Sequence, residues 1–154
     1  MSEEDMFEEA CLKFWQEFGK GKKMVLSTAL NDMVTSRMMS VIHLNNQLYF
    51  QTDSTFRKYN QLKKNPHAAL CIDNIQIEGL CKEIGSPAEN TEFCNAYKEY
   101  FTSSFYRYTL LKNERLFVVV PTFIERWVYM DGVPYMQIFD MENRKYILKQ
   151  YLGD

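Results

Sequence analysis

RMMSVIHLNNQLYFQTDSTFRKYNQLKKNP, residues 37–66, reads as a tight β-hairpin that runs directly into a short basic helix. Asn45-Asn46 is a two-residue turn between strand-like runs, so Leu44 faces Gln47. Carried back along that register, Arg37 lies opposite Ser54 and Met39 opposite Thr52. Side-chain alternation then puts Arg37, Thr52 and Ser54 on one face. The helix over 55–64 takes Ser54 or Thr55 as its N-cap and ends at Pro66, after Lys63, Lys64 and Asn65. Arg57 and Lys58 in its first turn oppose the helix dipole. A bound anion reverses that penalty, because backbone N–H groups and two cations then converge on it. The stretch therefore predicts a phosphate site. The competing reading is two solvated cations, since the opposing dipole costs only ~0.3–1 kcal/mol per charge.

The rest of the chain is consistent with one domain spanning 1–154, long enough to bury a core without disulfides or metals. Aromatic residues reach 15% of the sequence, which favours a β-rich body and a flat ligand to stack against. A net charge of −2 and a pI near 5.8 argue against a non-specific nucleic-acid binder. Cys11, Cys71, Cys81 and Cys94 show no CxxC spacing and have only His43 and His67 to join them. No metal site is expected, and the thiols read as buried in a reducing cytoplasm. No secretory signal or membrane-spanning apolar run is visible, so a cytoplasmic protein away from membranes is expected.

Periodicity and turn residues predict a helix over 3–18, strands at 23–30, 34–44 and 47–53, the basic helix, and strands at 67–73 and 75–85. Two helical segments follow, 89–101 and 103–112, then strands at 115–120, 123–130 and 134–139. Residues 142–152 read as a short strand or helix. Hairpin-linked strands punctuated by a few helices predict a mainly β, α+β architecture: an antiparallel barrel with covering helices. Strands 34–44 and 115–120 look apolar on both faces, as if covered inside by the barrel and outside by a second subunit, so a homodimer is expected.

Five motifs in order carry a family resemblance. They are Arg37-Met38-Met39, Tyr49-Phe50-Gln51-Thr52, Arg57-Lys58 with Gln61-Leu62 and Asn65-Pro66, Ile75-Gln76-Ile77-Glu78-Gly79, and Pro121-Thr122-Phe123-Ile124-Glu125-Arg126-Trp127. Together they resemble the pyridoxamine 5′-phosphate oxidase-like family of FMN-binding split β-barrels, leaving the N-terminal helix and 86–114 without a counterpart. The resemblance implies an FMN site at a dimer interface. In it Arg37, Arg57 and Lys58 hold the phosphate, the backbone of Met38, Met39 and Ser40 lies along the flavin, and Gln51 and Thr52 touch the ring or ribityl chain. Asn74 falls where the oxidase has a glutamine facing the ring, and Trp127 where it contributes a tryptophan. Three departures stand out. Phe56 replaces the serine before Arg-Lys, and Ile42 replaces a substrate-binding lysine. Val133-Pro134-Tyr135 occupies the region of the oxidase's Arg-Leu-His motif. The oxidase's cations for substrate phosphate are thus missing, which implies a divergent member and not a vitamin B6 oxidase.

His43 is a candidate base and His67 a weaker one, although a lone histidine near a hairpin tip is more often structural. Glu125 is expected to pair with Arg115 or with Arg126 of a neighbouring strand. The tyrosine- and phenylalanine-rich run 97–108 reads as helix packing more readily than as a ligand roof. The leading expectation is a small flavin-dependent oxidoreductase with no identifiable catalytic side chain, passing a hydride between nicotinamide and flavin. The alternatives are a flavin carrier or sensor without turnover, and a split barrel holding another planar ligand such as haem.

Overall fold

A computed structural model describes residues Met1–Asp154. Three helices, α1 (Glu3–Phe18), α2 (Arg57–Lys64) and α3 (Thr91–Tyr100), accompany eight strands. These are β1 (Gly21–Leu30), β2 (Met33–Leu44), β3 (Gln47–Asp53), β4 (His67–Ile72), β5 (Ile75–Glu83), β6 (Glu114–Met130), β7 (Val133–Asp140) and β8 (Lys145–Gln150). All neighbours are antiparallel in the order β3-β2-β1-β4-β5-β6-β7-β8, and a β3–β6 pairing closes the first six strands into a barrel. Asn31-Asp32, Asn45-Asn46 and Asp131-Gly132 all take positive φ at both positions, the backbone that two-residue hairpin turns require.

The hairpin turn sits at the expected register, with Leu44 facing Gln47, but its ladder ends at Ile42–Tyr49. Beyond that point β2 stays with β1, from Gly21–Ile42 to Leu30–Met33, while β3 follows β6 from Leu48–Val119 to Asp53–Glu114. Arg37 is therefore opposite Leu26, and Met39 opposite Met24, not Ser54 and Thr52. Two longer ladders outweigh the short one, and strand twist carries β2 and β3 apart. The facing edges of β2 from Arg37 to Val41 and of β3 from Phe50 to Asp53 have no strand between them.

The main core joins inward residues of the barrel, among them Met24, Leu26, Met39, Val41, Phe50, Leu70, Ile77 and Phe117, to the apolar face of α1. That helix starts with a capping box, Ser2 and Asp5 bonding reciprocally, and buries Phe7, Cys11, Phe14, Trp15 and Phe18. The second apolar face expected on 115–120 exists, but α3 of the same chain covers it. Leu116 and Ile42 pack there against Phe93, Ala96 and Tyr97. The two strands expected at 115–120 and 123–130 are one, with a register shift opposite Glu78–Gly79 that leaves Thr122 as the extra residue. The segment after α3 is a short helical turn, Thr102–Ser104, continued by a π-helical turn at Phe105–Thr109. The C-terminal stretch resolves as strand β8.

Gly79 sits at that bulge for want of space. A Cβ there would lie 2.7 Å from both Val119 Cγ1 and the Val120 carbonyl oxygen. Gly79→Ala should lower stability by about 1–3 kcal/mol in denaturant titration, and an unchanged midpoint would show that β5 and β6 can part without cost.

Candidate functional site

Arg37 points inward from β2 toward the barrel mouth beneath α2. Its guanidinium donates from Nη1 to Leu26 O (3.2 Å) and Thr28 Oγ1 (2.9 Å), and from Nη2 to Thr35 Oγ1 (2.7 Å) and Gln61 Oε1 (3.3 Å). Thr28 and Thr35 also donate to Gln61 Oε1, at 2.7 and 3.2 Å. One buried α2 carbonyl oxygen thus fixes the arginine and two hydroxyls that carry it. Gln61 belongs to a motif read from sequence, but its bond to Arg37 was not legible because the partners come from β1, β2 and α2. Burial, and then the charge of Arg57, lowers the Arg37 pKa. Burial, and then the charge of Arg37, lowers that of Lys58. The three cations therefore feel one another, and none of them forms an ion pair.

Helix α2 begins at Arg57, two residues later than expected, with Phe56 at the N-cap and no side-chain cap. Neither Ser54 nor Thr55 caps it. The Thr55 N–H and hydroxyl both donate to Asp53 Oδ1, at 2.8 and 2.7 Å, and the Ser54 N–H donates to Asn113 O at 2.8 Å. Phe56, where the resemblance implies a serine, instead lies 4.7 Å from Lys58 Nζ, ring face to ammonium. Lys58 Nζ donates to the buried Thr52 Oγ1 at 3.2 Å. Arg37, Thr52, Arg57 and Lys58 therefore gather at one end of the β2–β3 split, as the motifs imply, although Ser54 does not join them.

The split continues past Met38, Met39 and Ser40. Met39 enters the core, whereas Met38 is 61% exposed. Next to Thr52 and Lys58, a cavity of about 340 Å³ is lined by Gln51, Thr52, Lys58, Tyr97, Tyr108 and Glu114, among others. Gln51 Oε1 accepts from Thr109 of the π-helical turn at 3.0 Å. The Tyr97 pKa is raised by burial and lowered in part by hydrogen bonds to Ser40 and Ser104. The aromatic segment after residue 90 thus packs against the barrel and also roofs this cavity. Glu114, missed in the sequence because one carboxylate before an apolar run carries no motif, is only 6% exposed. Burial, and then Asp53, pushes its pKa up to about 7, while Lys58 pulls the other way.

Asn74 and Trp127 form a separate group. The Asn74 side chain donates to Trp127 O, the Trp127 N–H donates to Asn74 O at 3.3 Å, and the indole packs edge-on against Tyr129 and Tyr151. Asn74 lies in the β4–β5 turn, and Trp127 lies on β6 beyond the stretch that pairs with β3. His43 is structural: it stacks on Trp15 at 4.3 Å, Nδ1 meets Gly19 O at 2.9 Å, and Nε2 accepts the Asn46 N–H at 3.3 Å. Burial lowers its pKa, so it is neutral at pH 7. Glu125 forms no ion pair; Arg126 pairs with Glu17 and Arg115 with Glu83. Cys11 and Cys81 are buried as expected, but Cys71 is exposed and Cys94 only partly covered. No group of three or more His, Cys, Asp or Glu side chains could hold a metal, and no helix is long and apolar enough to cross a membrane.

A closed antiparallel barrel opened along one hairpin, with cations at the end of the opening, is the split barrel of FMN-binding type. The chain belongs to the pyridoxamine 5′-phosphate oxidase family, whose model matches residues 7–128. No curated protein matches its sequence. Among solved structures it is similar to PhzG from Burkholderia lata 383 in complex with tetrahydrophenazine-1-carboxylic acid, at 16% identity and TM-score 0.64, over 94% of this chain and 91% of that one. It is also similar to General Stress Protein 26 from Bacillus anthracis str. Sterne, at 23% identity and TM-score 0.57, over 76% and 90%. A third is a pyridoxamine 5′-phosphate oxidase-related, FMN-binding protein from Nostoc punctiforme PCC 73102, at 14% identity and TM-score 0.56, over 84% and 86%.

The Glu114 proton is held more tightly in the folded protein than in the unfolded chain, whose carboxyl titrates near the ordinary 4.5. Its contribution to stability therefore falls as pH rises from about 4.5 to about 7, and the penalty persists above that. Glu114→Gln should be more stable than wild type at pH 8 by up to about 3 kcal/mol, converging with it at acid pH. Equal chemical denaturation midpoints at pH 8 would contradict this burial cost.

Proposed function

We propose that this protein binds FMN and acts as a small flavin-dependent oxidoreductase. The observation that supports it most is the conjunction of three cations without ion-pair partners and two strand edges without a ladder. A phosphate monoester is dianionic near neutral pH and suits Arg37, Arg57 and Lys58, which would hold it through charge-assisted hydrogen bonds. A planar ring suits backbone donors along Met38, Met39 and Ser40, with the Met38 side chain as apolar cover. Gln51 and Thr52 would orient the ring or ribityl chain. Bound flavin supplies the redox chemistry, and the chain supplies binding, orientation and exclusion of water. Direct hydride exchange between a nicotinamide and the flavin would need no proton donor from the chain.

The reading includes a homodimer with two shared flavin sites, in which Asn74 and Trp127 of one copy would serve the flavin held by the cations of the other, in a cytoplasmic protein. The FMN-binding description of the Nostoc relative and the ligand bound by PhzG favour a flat ligand at such a site. Ile42 is buried, with no cation in its place to take a second phosphate, so pyridoxamine phosphate is not the expected substrate.

The purified protein should show a two-banded flavin spectrum and release a mononucleotide on heating. Arg37→Ala should weaken FMN binding at least tenfold by fluorescence titration, since a charged hydrogen bond is worth ~1.5–3 kcal/mol. Unchanged affinity would remove Arg37 from the site. Bound flavin that neither NADH nor NADPH reduces anaerobically would replace the oxidoreductase with a carrier or sensor. A haem spectrum would replace the cofactor itself.

A further inference from the structure

Helix α2 has no side-chain cap, yet its first turn carries Arg57 and Lys58 and must hold still if they are to meet a ligand. An uncapped helix of 8 residues frays from that end unless another contact holds it. The contact is made by Tyr59, the residue after Lys58. Its ring packs edge-on against Phe117 of the barrel core at 5.8 Å, and its hydroxyl donates to Glu83 Oε1 at 2.5 Å.

Glu83 is the last residue of β5 and alternates with Cys81 of the core, so it projects inward at the barrel mouth beneath α2. Its side chain is 11% exposed and gathers donors from two other elements. Tyr59 and Lys63 Nζ (3.3 Å) come from α2, and Arg115 Nε (3.0 Å) comes from β6. Burial raises the Glu83 pKa, but these three partners outweigh it and take the carboxyl below its ordinary range, so it is charged at pH 7.

Arg115 is also the strand partner of Thr52, whose hydroxyl takes the Lys58 ammonium. Both ends of the Lys58–Thr52 contact are therefore flanked by residues that Glu83 holds: Tyr59 beside Lys58, and Arg115 across from Thr52. We propose that Glu83 is a positioning residue of the cation cradle, fixing Lys58 at the split through Tyr59 and Arg115. Arg37 is held from the other side of the mouth, by Gln61, Thr28 and Thr35, so the two cations have separate supports. The inference rests on the cradle of the proposed function, and Glu83 itself need not touch the ligand.

Two measurements on the full chain test this. The amides of residues 60–62 bond back to the first turn of α2, and their hydrogen exchange can be followed by NMR. Glu83→Ala and Tyr59→Phe should each speed that exchange about tenfold or more. Helix α1 should stay as protected as in wild type, which reports that the fold is intact. Wild-type rates at 60–62 in both variants would overturn the proposal, whether or not the protein takes a flavin. In fluorescence titration, Glu83→Ala should weaken FMN binding about fivefold. It should lose most of that effect in a Lys58→Ala background and keep it in an Arg37→Ala background. Equal weakening in both backgrounds is what a merely structural loss gives, and it would reject Glu83 as the support of Lys58. Wild type that ignores FMN removes the flavin reading, and the exchange rates then decide on Glu83 alone.

Discussion

Everything at the site depends on the hairpin parting after Ile42 and Tyr49. A fully zipped β2–β3 ladder would satisfy the backbone from Arg37 to Val41 and would seal the barrel wall. Instead β2 is held by β1 and β3 by β6, and the short shared ladder yields to the longer ones. The opening exposes backbone donors and acceptors along a rigid scaffold, where a ligand meets groups that are already fixed in place. Helix α2 leaves β3 at the mouth of the opening, so its first-turn cations and the guanidinium of Arg37 arrive at one place.

Holding three like charges together works against stability, and the surrounding bonds show how it is managed. Arg37 is not paired with an acid that would cancel its charge. It is held by neutral oxygens from Leu26, Thr28, Thr35 and Gln61, which fix the guanidinium without neutralising it. Phe56 and Thr52 do the same for Lys58. Glu114 and Asp53 supply negative field nearby without closing an ion pair, so the cradle keeps its positive character while the carboxyl bears the cost of burial.

Much of this was legible in the residues, and the failures have a common cause. Asn45-Asn46 fixed the turn and its register because two-residue turns demand positive φ, which is a local property. Extending that register to Arg37 and Ser54 failed because β1 and β6, distant in sequence, compete for the same strands. The N-cap assignment failed similarly: Asp53 captures both polar groups of Thr55 before the helix can use them. The doubly apolar strand at 115–120 was a sound observation, but its second cover is α3 of the same chain. Gln61 acts through partners brought by other elements, and the burial of Glu114 depends on other elements too; no periodicity or motif announces either.

Strand β6 serves three neighbours: β3 and β5 along its first half, and β5 and β7 beyond the bulge at Thr122. It is also late in the chain, beginning at Glu114. As the polypeptide leaves the ribosome, β1 to β5 can form their hairpins, but the free edges of β3 and β5 have nothing to close against until β6 emerges. For most of its synthesis the chain carries two open sheet edges and an uncovered apolar interior, the condition in which nascent β-proteins aggregate or recruit chaperones. A break in translation before residue 114 would thus yield an unclosed barrel, and not a shortened but usable protein.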